Sequence, residues 1–235
     1  MLVRLSQYTR YIEGLPDTLA HELNNPLNVV SSSLEILENE LPGVSHNKHM
    51  QRAQNGVSRL RAILTALTEA ANLEEAMRDE IKERIDFAVL VTEVVEGYNS
   101  GYDDHVFHLQ VETQPLWING SADHLAQMMD KMVDNAVQFS ARGRPIVIRL
   151  QQHQDQAEIT ILNEGPLIPE NLCERIFDPM VSYGKTNAKH SHLGLGLFVV
   201  RLISEYHNGS AWVENRTDVS GVAVTVAIPL SSQSG

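Results

Sequence analysis

A single cysteine, Cys173, stands in the whole chain, so no intramolecular disulfide can staple the fold, and the composition suits a reducing compartment. Also missing is any apolar run of the roughly 18 to 20 residues that a membrane helix needs, and no signal-peptide pattern opens the chain. Basic residues are in the minority, 18 Lys and Arg against 30 Asp and Glu. The resulting formal charge of −12 disfavours nonspecific nucleic-acid binding, which wants a basic face. Internal repeats are absent, and low-complexity sequence is confined to the polar tail from Ser231 to Gly235. What remains is expected to be a folded, soluble protein. Of its 235 residues 43% are hydrophobic, with room for one large or two modest domains.

Two heptad stripes dominate the first third. Leu23, Leu27, Val30, Leu34, Leu37 and Leu41 recur at 4-3-4-3-4 and predict a helix from about Asp17 to Leu41, which Pro42-Gly43 ends. Met50, Ala53, Val57, Leu60, Leu64, Leu67 and Ala71 recur at 3-4-3-4-3-4 and predict a second helix from about His46 to Glu83. A short turn joins them into a helical hairpin. One narrow seam gives too little core for a hairpin to stand alone, so pairing two hairpins into a four-helix bundle completes it and predicts a homodimer.

On the first helix lies Leu19-Ala20-His21-Glu22-Leu23-Asn24-Asn25-Pro26-Leu27. Spacings of three and four make His21 and Asn25 neighbours on one face, and Glu22 and Asn25 as well. His21 stands two residues from Leu23, about 200° around the helix, so it is expected to point away from the seam. Pro26 removes a backbone donor and is expected to bend the helix just beyond the histidine. A surface histidine without a role is the plain alternative; the company of Glu22, Asn25 and Pro26 counts against it.

The pattern changes near Asp86, after the charged stretch Arg78 to Arg84, which reads as helix end or linker. Helices are expected at 87–98, 123–140 and 195–207, and strands at 106–111, 116–118, 145–151, 157–162, 210–215 and 222–230. The fold class is therefore α+β multidomain: residues 1–84 a helical hairpin forming a dimeric four-helix bundle, residues 85–235 an α/β sandwich with an antiparallel-rich sheet.

Three stretches of the second domain invite chemistry. Asn135 is a polar residue among the apolar Met132, Val133, Ala136, Val137 and Phe139; taken alone it reads as a capping or satisfied buried amide. Asn163-Glu164-Gly165-Pro166 turns the end of a strand. Gly194-Leu195-Gly196 opens an apolar helix, where backbone N–H groups can approach an anion and the helix dipole favours negative charge. Before it, Asp178 to Ser191 is rich in Lys, His, Ser and Asn, the composition of a nucleotide lid.

In this order, His21-Glu22…Asn25-Pro26, Asn135-Ala136, Asn163-x-Gly165-Pro166, Phe177 and Gly194-Leu195-Gly196-Leu197, the chain resembles the two-component sensor histidine kinases from about residue 17 to 230. The resemblance implies a dimerisation and histidine-phosphotransfer hairpin followed by an ATP-binding domain of the Bergerat (gyrase/Hsp90-like) type. It implies that His21 accepts the γ-phosphoryl of Mg·ATP, that Glu22 takes the imidazole proton, and that Asn25 holds a water for dephosphorylating the partner's phospho-aspartate. It implies that Asn135 binds Mg2+ through its carbonyl oxygen. Asn163 and Gly165 would meet adenine, Phe177 would clasp the start of the lid, and Lys185 or Lys189 would meet the γ-phosphate. Gly194, Leu195 and Gly196 would cradle the phosphates. The implied partners are a second copy of the chain and a response regulator. The implied setting is the cytoplasmic part of a membrane sensor, its input carried either by a segment preceding Met1 or by a separate protein.

The chain departs from that pattern at several positions. Lys131 stands where an Asn or acidic residue is common, and Gln138 where a lysine is usual. Asn163 replaces an aspartate, keeping an acceptor oxygen and giving up the charge. Leu167 and His192 replace glycines, and Ser182 a lid arginine. Lys131 leaves two readings, repulsion of magnesium or direct contact with a phosphate. These departures motivate the rival expectations of a degenerate kinase serving as a binding module, or of an enzyme acting mainly as a phosphatase.

Overall fold

The computed structural model describes residues 17–40, 48–102, 104–112, 114–179, 181 and 194–231. It divides into two compact units, the second beginning at Asp79. The first consists of α1 (Asp17–Glu40) and α2 (Lys48–Asp79). The helices run antiparallel, as two polar ties require. Gln54 donates to Glu38 at 2.8 Å, and Arg61 donates to Asn28 at 2.9 Å and Ser31 at 3.2 Å. Val57 and Leu64 of the expected seam are buried, whereas Leu23, Val30, Leu37 and Leu60 stay exposed, Leu60 at 54%. Among the described residues these four seam positions thus find no cover. Among the described residues no helix is long and apolar enough to cross a membrane.

The helix expected to reach Glu83 stops at Asp79. Glu83–Asp86 forms β1, which pairs antiparallel with β3 (Trp117–Gly120). The border between the units accordingly falls at Asp79, ahead of the 84/85 expected from the charged stretch. Between these strands come α3 (Phe87–Gly101) and β2 (Phe107–Val111). Asp86 fixes the start of α3, its carboxylate accepting from the N–H of Ala88 at 3.1 Å and of Leu116 at 3.3 Å. A side-chain cap of this kind is worth about 1 kcal/mol.

Then follow α4 (Ala122–Phe139), β4 (Ile146–His153), β5 (Gln156–Glu164), the single turn α5 (Glu170–Cys173), α6 (Gly196–Tyr206), β6 (Ser210–Asn215) and β7 (Gly221–Pro229). The main sheet has the order β2-β4-β5-β7-β6. Only β2 and β4 run parallel; the other three pairs are antiparallel.

Strand periodicity of two decides which side is the core. Ala157, Ile159, Ile161 and Asn163 are the buried alternate residues of β5, facing the same way as Val222, Val224, Val226 and Ile228 of β7. Helices α3, α4 and α6 cover the sheet. The buried stripe of α4 is Leu125, Met128, Met129, Met132, Val133 and Ala136, at helical spacing of three and four. Its other edge is polar. Tyr98 donates its hydroxyl to Asp130 at 2.7 Å, and Tyr102 to Asp134 at 3.0 Å, which fastens α3 to α4 one turn apart. Burial and these carboxylates push the Tyr98 hydroxyl far above the usual tyrosine range and that of Tyr102 up to about 12.

Candidate functional site

His21, Glu22 and Asn25 all lie within α1, and Asn25 is exposed. Pro26 sits inside the same helix, which continues to Glu40. A proline has no N–H for the carbonyl four residues earlier, so the helix loses one rung in the turn that begins at Glu22. The amide of Asn25 therefore stands in solvent beside a weakened turn.

In the second unit the remaining residues converge on α4. At its C-terminal end, a Cβ on Gly165 would overlap the carbonyl of Phe139 and lie 3.2 Å from Asn163 Nδ2. Glycine is required there because the turn after β5 runs against the end of the helix. The N–H of Ala141, just beyond the helix, bonds the Glu164 carbonyl at 2.7 Å and locks that approach. Two turns earlier, a Cβ on Gly196 would lie 3.9 Å from the carbonyl of Lys131. Half-buried Asn135 stands between these ends. Helix α4 thus has the Asn163–Gly165 turn at one end of the stretch, the glycine start of α6 at the other, and Asn135 in the middle.

At the start of α6, Leu195 occupies the N-cap with no side-chain hydrogen bond, and the first turn holds no acidic residue. The N–H groups of a first helical turn and the positive end of the helix dipole favour an anion there. Gly194 has φ of 70°, and a Cβ on it would overlap the backbone of Val181, so only glycine lets the chain enter α6 at this angle.

Asn163 is the unusual member. It is 4% exposed and ends the apolar stripe of β5, and among the described residues its Nδ2 has no hydrogen-bond partner. Val222 lies directly across the ladder, and Ile161 precedes it on the same face. Leaving a buried amide donor unsatisfied costs about 1–3 kcal/mol, and native structures keep such groups for a reason.

Phe177 is buried. Asp178 beside it pairs with Arg201 of α6 at 3.1 Å, and the Arg201 guanidinium lies 5.7 Å from the Phe198 ring centroid. The first residue of the expected lid, Asp178, is thereby fastened to α6. Lys185, Lys189, Ser182 and His192 lie outside the described residues.

These residues fit a purine nucleotide. The amide of Asn163, unsatisfied among the described residues, suits the polar edge of a base, and the uncapped start of α6 suits phosphate oxygens. For magnesium the fit rests on Asn135: among the described residues no three His, Cys, Asp or Glu side chains cluster to hold a metal. Mg2+ bound through one protein oxygen plus phosphates and water needs no such cluster. Sequence reasoning missed the Phe139, Lys131 and Val181 carbonyls and the Asp178–Arg201 pair. Backbone atoms leave no sequence signal, and the ion pair joins residues 23 apart.

Comparison with known proteins agrees with this layout. Residues 17–76 match the His Kinase A (phospho-acceptor) domain, and residues 120–232 match the family described as Histidine kinase-, DNA gyrase B-, and HSP90-like ATPase. The sensor protein kinase WalK of Staphylococcus saprophyticus is 23% identical over 216 residues, 90% of this chain and 35% of WalK. Sporulation kinase A of Bacillus subtilis is 25% identical over 213 residues, 90% of this chain and 33% of that protein. The chain spans about a third to a half of the length of the curated relatives it matches. Histidine kinase ThkA, solved in complex with response regulator protein TrrA, superposes with a TM-score of 0.59 at 23% identity, covering 93% of this chain and 62% of that one.

Proposed function

The chain belongs to the sensor histidine kinases, as a phospho-acceptor domain followed by their ATPase domain, and on that footing we propose that it phosphorylates itself on His21 and passes the phosphoryl group to an aspartate of a response regulator. What supports the reading is the placement of the nucleotide-fitting residues along α4, in the same chain as the His21-Glu22 pair on α1. ATP is the substrate and supplies the γ-phosphoryl. Asn163 and Gly165 receive the base, the start of α6 at Gly194, Leu195 and Gly196 receives the phosphates, and Asn135 offers its carbonyl oxygen to Mg2+. Phe177 closes the apolar side, and Lys185 balances charge at the γ-phosphate.

A neutral imidazole nitrogen of His21 attacks the γ-phosphorus in line, and ADP leaves with the bond's electron pair. The other ring nitrogen gives its proton to Glu22. A positioned base of this kind contributes about 10² to 10⁴-fold in rate. Asn25, exposed on the same helix, orients a water toward a phospho-aspartate and gives the protein its reverse, phosphatase activity.

The exposed seam residues Leu23, Val30, Leu37 and Leu60 support a homodimer in which two hairpins form the four-helix bundle. We place the protein in the cytoplasm, where ATP and the regulator reside. A degenerate binding module gains nothing from a carboxylate beside a histidine, and that pair favours the kinase. Incubation with radiolabelled ATP should give acid-labile phosphate on the native chain and none on His21→Gln. Equal labelling of the two proteins would sink the proposal.

A further inference from the structure

The unsatisfied amide of Asn163 carries a consequence for which bases the pocket accepts. Its Nδ2 is buried, has no hydrogen-bond partner among the described residues, and lies on the strand face whose neighbours across and along are the apolar Val222 and Ile161. Among the described residues it finds no acceptor, and a bound base can supply one. A carboxylate at this position could only accept. The amide both donates and accepts, and its two ends have nearly the same size, so a half-turn about its terminal bond exchanges them.

We propose that Asn163 makes this pocket tolerant at position 6 of the purine, so that it binds 6-oxopurine nucleotides alongside adenine nucleotides. The inference rests on the nucleotide reading given above. Adenine presents an amino donor at C6 and an acceptor at N1. The amide answers with Oδ1 toward the amino group and Nδ2–H toward N1, satisfying the orphaned donor. Hypoxanthine presents an acceptor at O6 and a donor at N1. The flipped amide answers with Nδ2–H toward O6 and Oδ1 toward N1–H. Two neutral hydrogen bonds form in either case. With aspartate in this place and the base seated the same way, O6 would face a carboxylate with no proton between them. That mismatch leaves buried polar groups unpaired, the situation in which polar sites discriminate most strongly.

Inosine nucleotides isolate the effect, because hypoxanthine differs from adenine only at C6 and in the proton on N1 and adds no bulk. Isothermal titration of the full chain with Mg·ADP and Mg·IDP gives the two dissociation constants without turnover. The native chain should bind IDP within about tenfold of ADP, the span of one neutral hydrogen bond. In Asn163→Asp the IDP-to-ADP ratio should widen by about tenfold or more. Native IDP binding weaker than ADP by more than tenfold, or the same ratio in both proteins, overturns the inference while leaving the kinase reading intact. Failure of the native chain to bind either nucleotide overturns both. Should Asn163→Asp not fold, the native ratio decides alone.

Discussion

His207 at the end of α6 accepts a hydrogen bond on Nε2 from the backbone N–H of Ser121 at 3.1 Å, while its Nδ1–H reaches the Ile203 carbonyl at 2.7 Å. The ring is 2% exposed and ties the end of one core helix to the start of another. Gly120 makes room for it, since a Cβ there would overlap the ring. Both ring nitrogens are committed, one as acceptor and one as donor, which only the neutral imidazole can satisfy.

Acid should therefore loosen the second unit. Burial pulls the His207 pKa below its ordinary value, with Lys82 and His124 adding to the effect. The unfolded histidine titrates near 6.5, so on the way down in pH the unfolded state takes up its proton first. The stabilisation is complete above that value and is lost as pH falls from about 6.5 through the folded pKa. Thermal scans should show the melting temperature falling between pH 7.5 and 5.5. His207→Gln should melt lower at pH 7.5, by about 1–3 kcal/mol, and lose part of the acid slope. Identical slopes would clear His207 of responsibility.

Gly165→Ala should weaken nucleotide binding and the fold together. The added methyl overlaps the Phe139 carbonyl and crowds Asn163, and overpacking against backbone costs about 1–3 kcal/mol. Denaturant titration and calorimetry with Mg·ADP measure the two losses separately. Unchanged values in both would mean that the turn relaxes freely.

Charging the uncovered seam should break the dimer. Leu37→Asp places a carboxylate on a stripe whose alternate members are exposed in the single chain. Light scattering should find the native chain dimeric and the variant monomeric, with Mg·ADP affinity retained because Leu37 lies outside the second unit. A native chain that already scatters as a monomer would contradict the four-helix bundle.

Asn25→Ala should separate the two activities. Autophosphorylation should persist within about threefold, while dephosphorylation of a phospho-regulator should drop by about tenfold or more, on the scale of losing one orienting hydrogen bond. The amide is exposed and makes no hydrogen bond among the described residues. Equal loss of both activities would assign Asn25 to the transfer step instead.

The elements with strong periodicity were legible in the sequence. Helix α4 and strands β5 and β6 begin and end within two residues of expectation, because buried stripes fix their phase. Strand β1 was hidden by its own charges: Glu83 and Arg84 are exposed, and only the pairing with Asn119 and Gly120 makes them a strand. Four-residue α5 offers too few turns for any period to register. At the site, the residue types Asn135, Asn163 and Gly165 could be named from motif order. That Asn163 is left without a partner could not, since it depends on Val222 arriving opposite through the β5–β7 register, 59 residues later in the chain.

Helix α4 is also a gauge. Lys131 at one mark and Phe139 at the other are eight residues apart, about 12 Å along a helix, and each approaches a glycine of the proposed nucleotide site. On the proposed nucleotide reading, the distance between base end and phosphate end is the length of a single hydrogen-bonded rod, not the sum of two loops. Tilting the rod carries both marks together and leaves their separation unchanged.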